Sequence, residues 1–322
     1  MSISQPSLDA LLQGLKASAD PTRLRLLNLC AAGELTQAEL TDILGQSQPR
    51  VARHLGILCD AGLLDRFRER QHVYYRLARR GPAGSLAGAL LGQFPGTDDR
   101  LEPDRQRLAA LKADRASRAS EFMRGMNSQW AATSTPEEEA RIRGTILNML
   151  TDCRIGALLD IGTGTGRMLR LLSGRAQEAV GVDLSSDMLA VARSSLEQAG
   201  LDHCMVRHGN MYQLPFSAGS FDTVTLDDVL GQAEDPARVI AEAARILRPA
   251  GNLLVVDIAA EGSPADGAAV SRYCSGHGLT PFRNRSIKLD HCVLGVLLAR
   301  RQAAPHSTAD QASGANNLLR PD

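Results

Sequence analysis

Two groups of residues in this chain of 322 have types and spacing suited to chemistry. The first is Asp160-Ile161-Gly162-Thr163-Gly164-Thr165-Gly166-Arg167, where glycines alternate with small polar residues and let a ligand approach the backbone closely. Asp183 stands roughly twenty residues beyond, a spacing at which a carboxylate can accept hydrogen bonds from ribose hydroxyls. The second group is Gln48, Arg50, Arg53 and His54, followed by the charged run Arg68-Glu69-Arg70-Gln71. Glutamine pairs with adenine and arginine with guanine through two hydrogen bonds each, which is the chemistry of direct base readout.

Each group needs an element to hold it. Asp20-Pro21-Thr22 starts a helix with a side-chain cap and a proline in its first turn, and Leu24, Leu27 and Leu29 supply apolar positions. Thr36-Gln37-Ala38-Glu39 has the spacing of a capping box, with Leu40, Ile43 and Leu44 on one face and Gly45 at the end. Ser47 is placed to cap a second short helix whose stripe is Val51, Leu55 and Leu58, and Gly62 stops it. Gln48, Arg50, Arg53 and His54 lie off that stripe. Leu63-Leu64 and Val73-Tyr74-Tyr75 flank the charged run as two strands flank a hairpin tip, so Arg68 and Arg70 sit on a wing. Further on, Gly156-Ala157-Leu158-Leu159 is a buried strand entering the glycine turn, and Met168 to Leu172 is the helix leaving it. Ala179-Val180-Gly181-Val182 delivers Asp183 from the next strand.

Composition sets the bounds. Hydrophobic residues make up 43% of the chain, enough for about two domains with real cores. Net charge is zero, but residues 46–80 carry eight basic residues against three acids, an excess suited to phosphate contacts. The six cysteines form no Cys-x-x-Cys pair, which leaves neither a zinc knuckle nor a disulfide framework. With no basic leader before an apolar run and no segment of about twenty apolar residues, a cytoplasmic protein without membrane contact is expected.

Helix, turn, helix and basic wing resemble the ArsR/SmtB family of winged-helix repressors through Ala19-Asp20-Pro21-Thr22-Arg23, Ser47 to Leu55 and Val73-Tyr74-Tyr75-Arg76-Leu77, over about the first eighty residues. The resemblance implies binding of double-stranded operator DNA and a homodimer. Many relatives sense metals through paired cysteines on the first helix of the motif. Here that stretch is Gly33-Glu34-Leu35-Thr36-Gln37, so no metal site is expected. Beyond Gly81-Pro82, Leu86, Leu90 and Leu91 suit a short helix that pairs subunits. Asp98 to Trp130 is helical in composition, and its arginines read as a solvated face. Trp130, the single tryptophan, is expected to pack or to cover a cofactor.

From residues alone the glycine turn fits a nicotinamide-binding domain as well as a methyl-donor one. Val206 to Phe216, Ser220 to Leu226 and Ile246 to Asp257 complete a βα alternation that resembles the class I S-adenosyl-methionine-dependent methyltransferases over about residues 140–300. Asn210 to Phe216 and Leu247-Arg248-Pro249-Ala250-Gly251 favour that family. The fold class is α/β, an N-terminal winged helix-turn-helix (1–80), a helical linker or dimerisation region (81–138), a Rossmann-like class I methyltransferase domain (139–301) and a disordered tail (302–322).

The resemblance implies S-adenosyl-methionine or S-adenosyl-homocysteine as cofactor. Gly162, Gly164 and Gly166 would face its methionine part, with Thr163 among them and Asp160 supporting the turn; Asp183 would hold the ribose, and Leu184 and Met188 would flank the adenine. Asn210, where many relatives have aspartate, would accept from the adenine amino group through its carbonyl, with Met211 and Asp227 also near the cofactor. Asp227 and Asp228 would orient a methyl acceptor or cap the next helix. Glu261 to Gly278 is a short connection where relatives have longer helical segments, which predicts a curtailed acceptor site. Two functions follow from the pairing of a DNA reader with a cofactor fold: a regulator that senses the cofactor, or a small-molecule methyltransferase that regulates its own expression.

Overall fold

The computed structural model describes residues 7–69, 71–79, 81–95, 98–125, 135–259 and 265–302, with the side chains of 123–125 left aside. Arg70, Trp130 and the tail from residue 303 lie outside the described residues. The chain divides into two compact units, Met1–Ala116 and Ser117–Asp322. No helix among the described residues is long and apolar enough to cross a membrane.

The first unit opens with α1 (Leu8–Ser18) and α2 (Pro21–Ala31), the latter capped by Asp20, whose carboxylate accepts the Arg23 N–H at 3.1 Å. Strand β1 (Leu35–Thr36) leads into α3 (Gln37–Leu44), and the expected capping box is complete: Glu39 N donates to Thr36 Oγ1 at 3.2 Å, Thr36 N to Glu39 Oε2 at 2.7 Å. Gly45 ends the helix with φ 61°, the left-handed conformation that favours glycine. Helix α4 (Gln48–Asp60) follows, but Ser47 does not cap it with its side chain. Pro49 offers no N–H at the second helical position, and the Arg50 N–H bonds the Ser47 carbonyl instead, at 3.0 Å. Strands β2 (Leu64–Glu69) and β3 (His72–Leu77) pair antiparallel as the wing, with sheet order β1-β3-β2. Val51, Leu55 and Leu58 of α4 are fully buried against Leu26, Leu27 and Leu40, so the polar face of that helix is turned outward by its own core anchors.

Helices α5 (Gly81–Leu91) and α6 (Glu102–Gly125) follow, and the unit boundary at 116/117 assigns most of the anticipated linker to the first unit. The basic residues of α6 are not simply solvated. Arg107 donates to the Ile43 carbonyl at 2.6 Å, Lys112 to the Ala32 carbonyl at 2.8 Å, and Arg115 pairs with Glu39 at 2.8 Å. Ile43 and Ala32 are at the C-terminal ends of α3 and α2, where helix carbonyls lack intrahelical donors and cations are favoured. Arg25 of α2 reaches Asp104 through two bonds of 2.6 and 2.7 Å, and that carboxylate is only 1% exposed.

The second unit begins with α7 (Pro136–Met149), closed by a Thr135–Glu138 capping box. Strand β4 (Gly156–Ile161), α8 (Arg167–Leu172), β5 (Ala176–Asp183), α9 (Ser186–Gln198) and β6 (Cys204–His208) form the first half. The second half holds β7 (Phe221–Asp227), α10 (Pro236–Ile246), β8 (Leu247–Ile258), α11 (Gly267–Gly276), β9 (Leu279–Lys288) and β10 (Val293–Arg301). The sheet order is β6-β5-β4-β7-β8-β10-β9, with β10 antiparallel to both neighbours. Counted from β4 this order is 3-2-1-4-5-7-6, with an antiparallel strand between the fifth and sixth, whereas the classic nicotinamide-binding sheet runs 3-2-1-4-5-6; the difference disfavours the competing reading. Along β4 the side chains alternate: Leu159 and Ile161 join one core layer, Leu158 the other, and both layers are buried by helices. All five parallel strands therefore deliver their carboxyl ends to one edge, where the glycine turn, Asp183 and Asp227 emerge.

Candidate functional site

On the first unit, Gln48, Arg50 and Arg53 are exposed on the first turns of α4 and have no side-chain partner among the described residues. His54 departs from expectation. Its imidazole is 13% exposed, with Nδ1 buried, lacking a hydrogen bond among the described residues, and 3.7 Å from Asp20 Oδ1. Burial pushes this imidazole below its ordinary pKa, opposed by Asp20 and reinforced by Arg23, Arg50 and Arg53. His54 therefore joins α4 to the cap of α2 instead of standing in the outward row. Arg68 is exposed on β2, and the wing is braced by Phe67 stacked on Tyr74 at 5.3 Å and by an Arg76–Asp65 pair at 3.0 Å.

On the second unit the glycine turn is built by backbone and buried carboxylates. Gly162 N and Thr163 N both donate to the Val182 carbonyl, at 2.8 and 3.0 Å. Asp160 is 1% exposed; its two oxygens accept from Thr163 Oγ1 at 2.7 Å and Thr225 Oγ1 at 2.6 Å. Burial raises its pKa to about 7 despite those bonds. Asp160 and Thr163 are thus buried, bonded to one another beneath the turn. The three glycines also differ. A Cβ on Gly162 would meet Val229 Cγ2 at 2.6 Å, and one on Gly166 would meet Ala192 at 3.4 Å, whereas one on Gly164 would meet nothing closer than a carbonyl oxygen at 4.0 Å. Gly162 serves close packing, Gly166 supplies a left-handed backbone with φ 78°, and Gly164 is the point with the most open space around it.

Asp183 lies at the end of β5 with Oδ2 accepting Gly164 N at 2.9 Å and Oδ1 accepting Ser185 N at 2.8 Å. Each oxygen keeps a lone pair, and the group is half-buried. Next to it Leu184 is 50% exposed, an apolar side chain open at the rim, with Met188 half-buried one turn along. The buried Ser186 Oγ has no hydrogen-bond partner among the described residues. An open glycine backbone, a carboxylate with free lone pairs and an exposed leucine beside it fit a nucleoside with a sugar diol and a flat base. Asn210 is exposed, but its Oδ1 accepts Tyr212 N at 2.9 Å, so the carbonyl expected to face an adenine amino group is engaged in a local turn. One lone pair and the amide N–H groups are left for a ligand. Met211 is half-buried against the core beside it.

The acceptor end is more closed. Asp227 is locked to Arg167 by bonds of 2.7, 2.8 and 3.0 Å, and Arg167 also lies 3.4 Å from Glu139 of α7. Burial works against the Arg167 charge, but Asp227 first and then Glu139 hold its pKa above the ordinary arginine value. Neither Asp227 nor Asp228 caps the short 3-10 turn at Leu230–Gln232. Asp257 does so from β8, accepting Leu230 N at 2.8 Å and Gly231 N at 3.2 Å. Asp228 has φ 58°, a strained value for a residue with a side chain. Arg167 was not anticipated as part of the site; the only signal was a cation placed one residue after the last glycine, because its partner is 60 residues away.

Residues 20–66 match the family model described as bacterial regulatory protein, arsR family, and residues 159–255 match the one described as methyltransferase domain. An arsenite methyltransferase of Aquipseudomonas alcaligenes is 34% identical over 144 residues, 41% of this chain and 41% of that protein. A phosphatidylethanolamine N-methyltransferase of Cereibacter sphaeroides is 36% identical over 107 residues, 33% of this chain and 52% of that protein. The chain thus spans between 41% and 52% of the length of these two relatives. The solved YcgJ protein of Bacillus subtilis superposes with a TM-score of 0.46 at 19% identity, covering 51% of this chain and 100% of that one. The two family models identify an arsR-family regulatory domain at residues 20–66 and a methyltransferase domain at residues 159–255.

Proposed function

We propose that this protein is a DNA-binding transcriptional regulator of the cytoplasm whose C-terminal domain senses S-adenosyl-methionine or S-adenosyl-homocysteine. The observation that carries this reading is the contrast between the two ends of the second unit's site. At the nucleoside end, Gly164, Asp183 and Leu184 are open. At the acceptor end, Asp227 is tied to Arg167 and Asp257 to a backbone turn. A site open at its nucleoside end and occupied by structural bonds where an acceptor would be oriented suits a sensor. In this reading Asp183 takes the ribose hydroxyls, Leu184 and Met188 flank the base, Asn210 and Met211 border it, and Gly164 admits the amino-acid end. Gln48, Arg50 and Arg53 read bases, while Arg68 and Arg70 of the wing contact phosphates.

The functional species is a homodimer, supported by Leu8, Leu12 and Leu15, which leave a stripe of exposed apolar side chains along α1 at 71%, 42% and 41% exposure. Occupancy of the second unit would shift this dimer between DNA-competent and incompetent states by the differential affinity of those states for the ligand. Titration of operator DNA with and without each cofactor form tests the reading, and identical DNA affinity in all three conditions excludes sensing.

A second reading, a small-molecule methyltransferase with an autoregulatory DNA-binding domain, is supported by an open trough of about 640 Å³ beside Arg167, between α7 and α8. Methyl transfer from a sulfonium needs alignment more than acid-base groups. Transfer of label from the cofactor to a metabolite panel would establish it.

A further inference from the structure

A cavity of about 380 Å³ lies wholly within the first unit, walled by Pro21 and Leu24 of α2, Leu90 of α5, Phe94, Pro95 and Leu101. That volume and that lining are those of a small-molecule pocket, concave and mostly apolar with a few polar groups at its edge. The charges bordering it are already neutralised. Arg25 is held by Asp104 through two bonds, and Arg100 by Asp98 at 2.8 Å. Only the Gln93 amide, among the polar side chains lining the cavity, has no partner among the described residues. The chemistry on offer is an apolar wall with one neutral hydrogen-bonding group.

We propose that this cavity is an effector site of the DNA-binding unit, taking a neutral, largely apolar molecule of the size of a one- or two-ring aromatic. The inference goes beyond the cofactor reading and does not depend on the second unit. Its mechanical basis is the first turn of α2. Pro21 and Leu24 face the cavity, while the neighbouring residues of the same turn hold the reading head. Asp20 meets His54 of α4 at 3.7 Å, Thr22 accepts from Gln46 Nε2 at 3.3 Å in the turn before α4, and Arg25 donates to the Leu44 carbonyl at 3.5 Å. An occupant that presses on Leu24 therefore acts on the element that sets the angle of α4. It changes DNA affinity only to the extent that it binds the DNA-competent and DNA-incompetent forms of the unit with different affinity.

Indole is a suitable probe, titrated into the full chain by calorimetry while the His54 imidazole is followed by nitrogen-15 resonance. The expected result is saturable binding of one indole per chain with a shift of the His54 signals along the same saturation curve. Leu90→Trp, which fills the cavity from α5, should weaken indole at least about tenfold while leaving S-adenosyl-homocysteine binding unchanged. Gln93→Trp at the exposed edge gives the same answer should the first variant unfold. Non-saturable uptake, indole affinity unaltered in a folded filling variant, or an unmoved His54 overturns the proposal. So does indole binding that declines as the protein is concentrated, since the cavity would then be covered by a second copy of the chain.

Discussion

The reading helix and the glycine turn present opposite ways of exposing a functional surface. On α4 the functional groups are long side chains pointing away from a core in which Val51, Leu55 and Leu58 are fully buried, so anchoring and function belong to different atoms. At the glycine turn the functional surface is the backbone itself, and the atoms that hold it, Asp160, Thr163 and Thr225, are buried directly behind it. Substitutions on α4 should change binding and leave stability alone. Substitutions at the turn should change both.

Gly162→Ala should be the most damaging. With φ 67° and a Cβ position 2.6 Å from Val229, alanine meets both a left-handed backbone cost and a clash. The combined loss should be roughly 2–5 kcal/mol of stability. Denaturant unfolding and cofactor calorimetry should show the two losses together; loss of binding with unchanged stability would break the comparison. Asp160 offers a subtler version. Its folded pKa of about 7 stands above the ordinary aspartate value of 3.8, so the folded state holds more protons than the unfolded state between those limits. Stability from this group is full at the acid end, declines as pH rises through that window and is flat above it, with a slope approaching about 1.4 kcal/mol per pH unit. Asp160→Asn should therefore gain relative to the parent from pH 4 to pH 8. A difference between the two that does not vary with pH would refute a buried, proton-binding Asp160.

Local signals were legible in the amino-acid order and long-range partners were not. The Thr36–Glu39 box, the Asp20 cap and the strand-turn-helix around Gly162 each rest on bonds between residues three or four apart, or on a conformation only glycine adopts easily. His54 shares the polar side of α4 with Arg53, and only the arrival of Asp20 from another helix turns it inward. Arg107 and Lys112 looked like a solvated face because charge alone does not reveal that a helix end is waiting for it. Asn210 and Asp227 carried the right chemistry at the right place, yet their oxygens are engaged by Tyr212 N and Arg167, bonds that residue type cannot announce.

Arg53→Ala sharpens the contrast from the other side. The residue is exposed without a partner among the described residues, so unfolding should shift by no more than about 0.5 kcal/mol. If Arg53 pairs with a guanine, operator affinity should drop by about 1–3 kcal/mol with relaxed preference at one position. A uniform loss across DNA sequences, with a shallower salt dependence than the parent's, would instead make Arg53 a phosphate contact.

The smallest effect is the most discriminating, because it asks whether the second unit owns any residue that behaves like those of α4. Leu184 is the candidate, half exposed beside Asp183 and not part of the buried layers. Truncation in Leu184→Ala removes apolar surface that a stacked base would cover, worth about 1 kcal/mol, or roughly a fivefold weaker S-adenosyl-homocysteine affinity. Stability should stay within about 0.5 kcal/mol, since the side chain contributes little to the core. Should calorimetry find the affinity unchanged, the base does not rest on Leu184. Should thermal unfolding drop along with affinity, even the rim of this site is structural, and the division between a side-chain surface and a backbone surface would be complete.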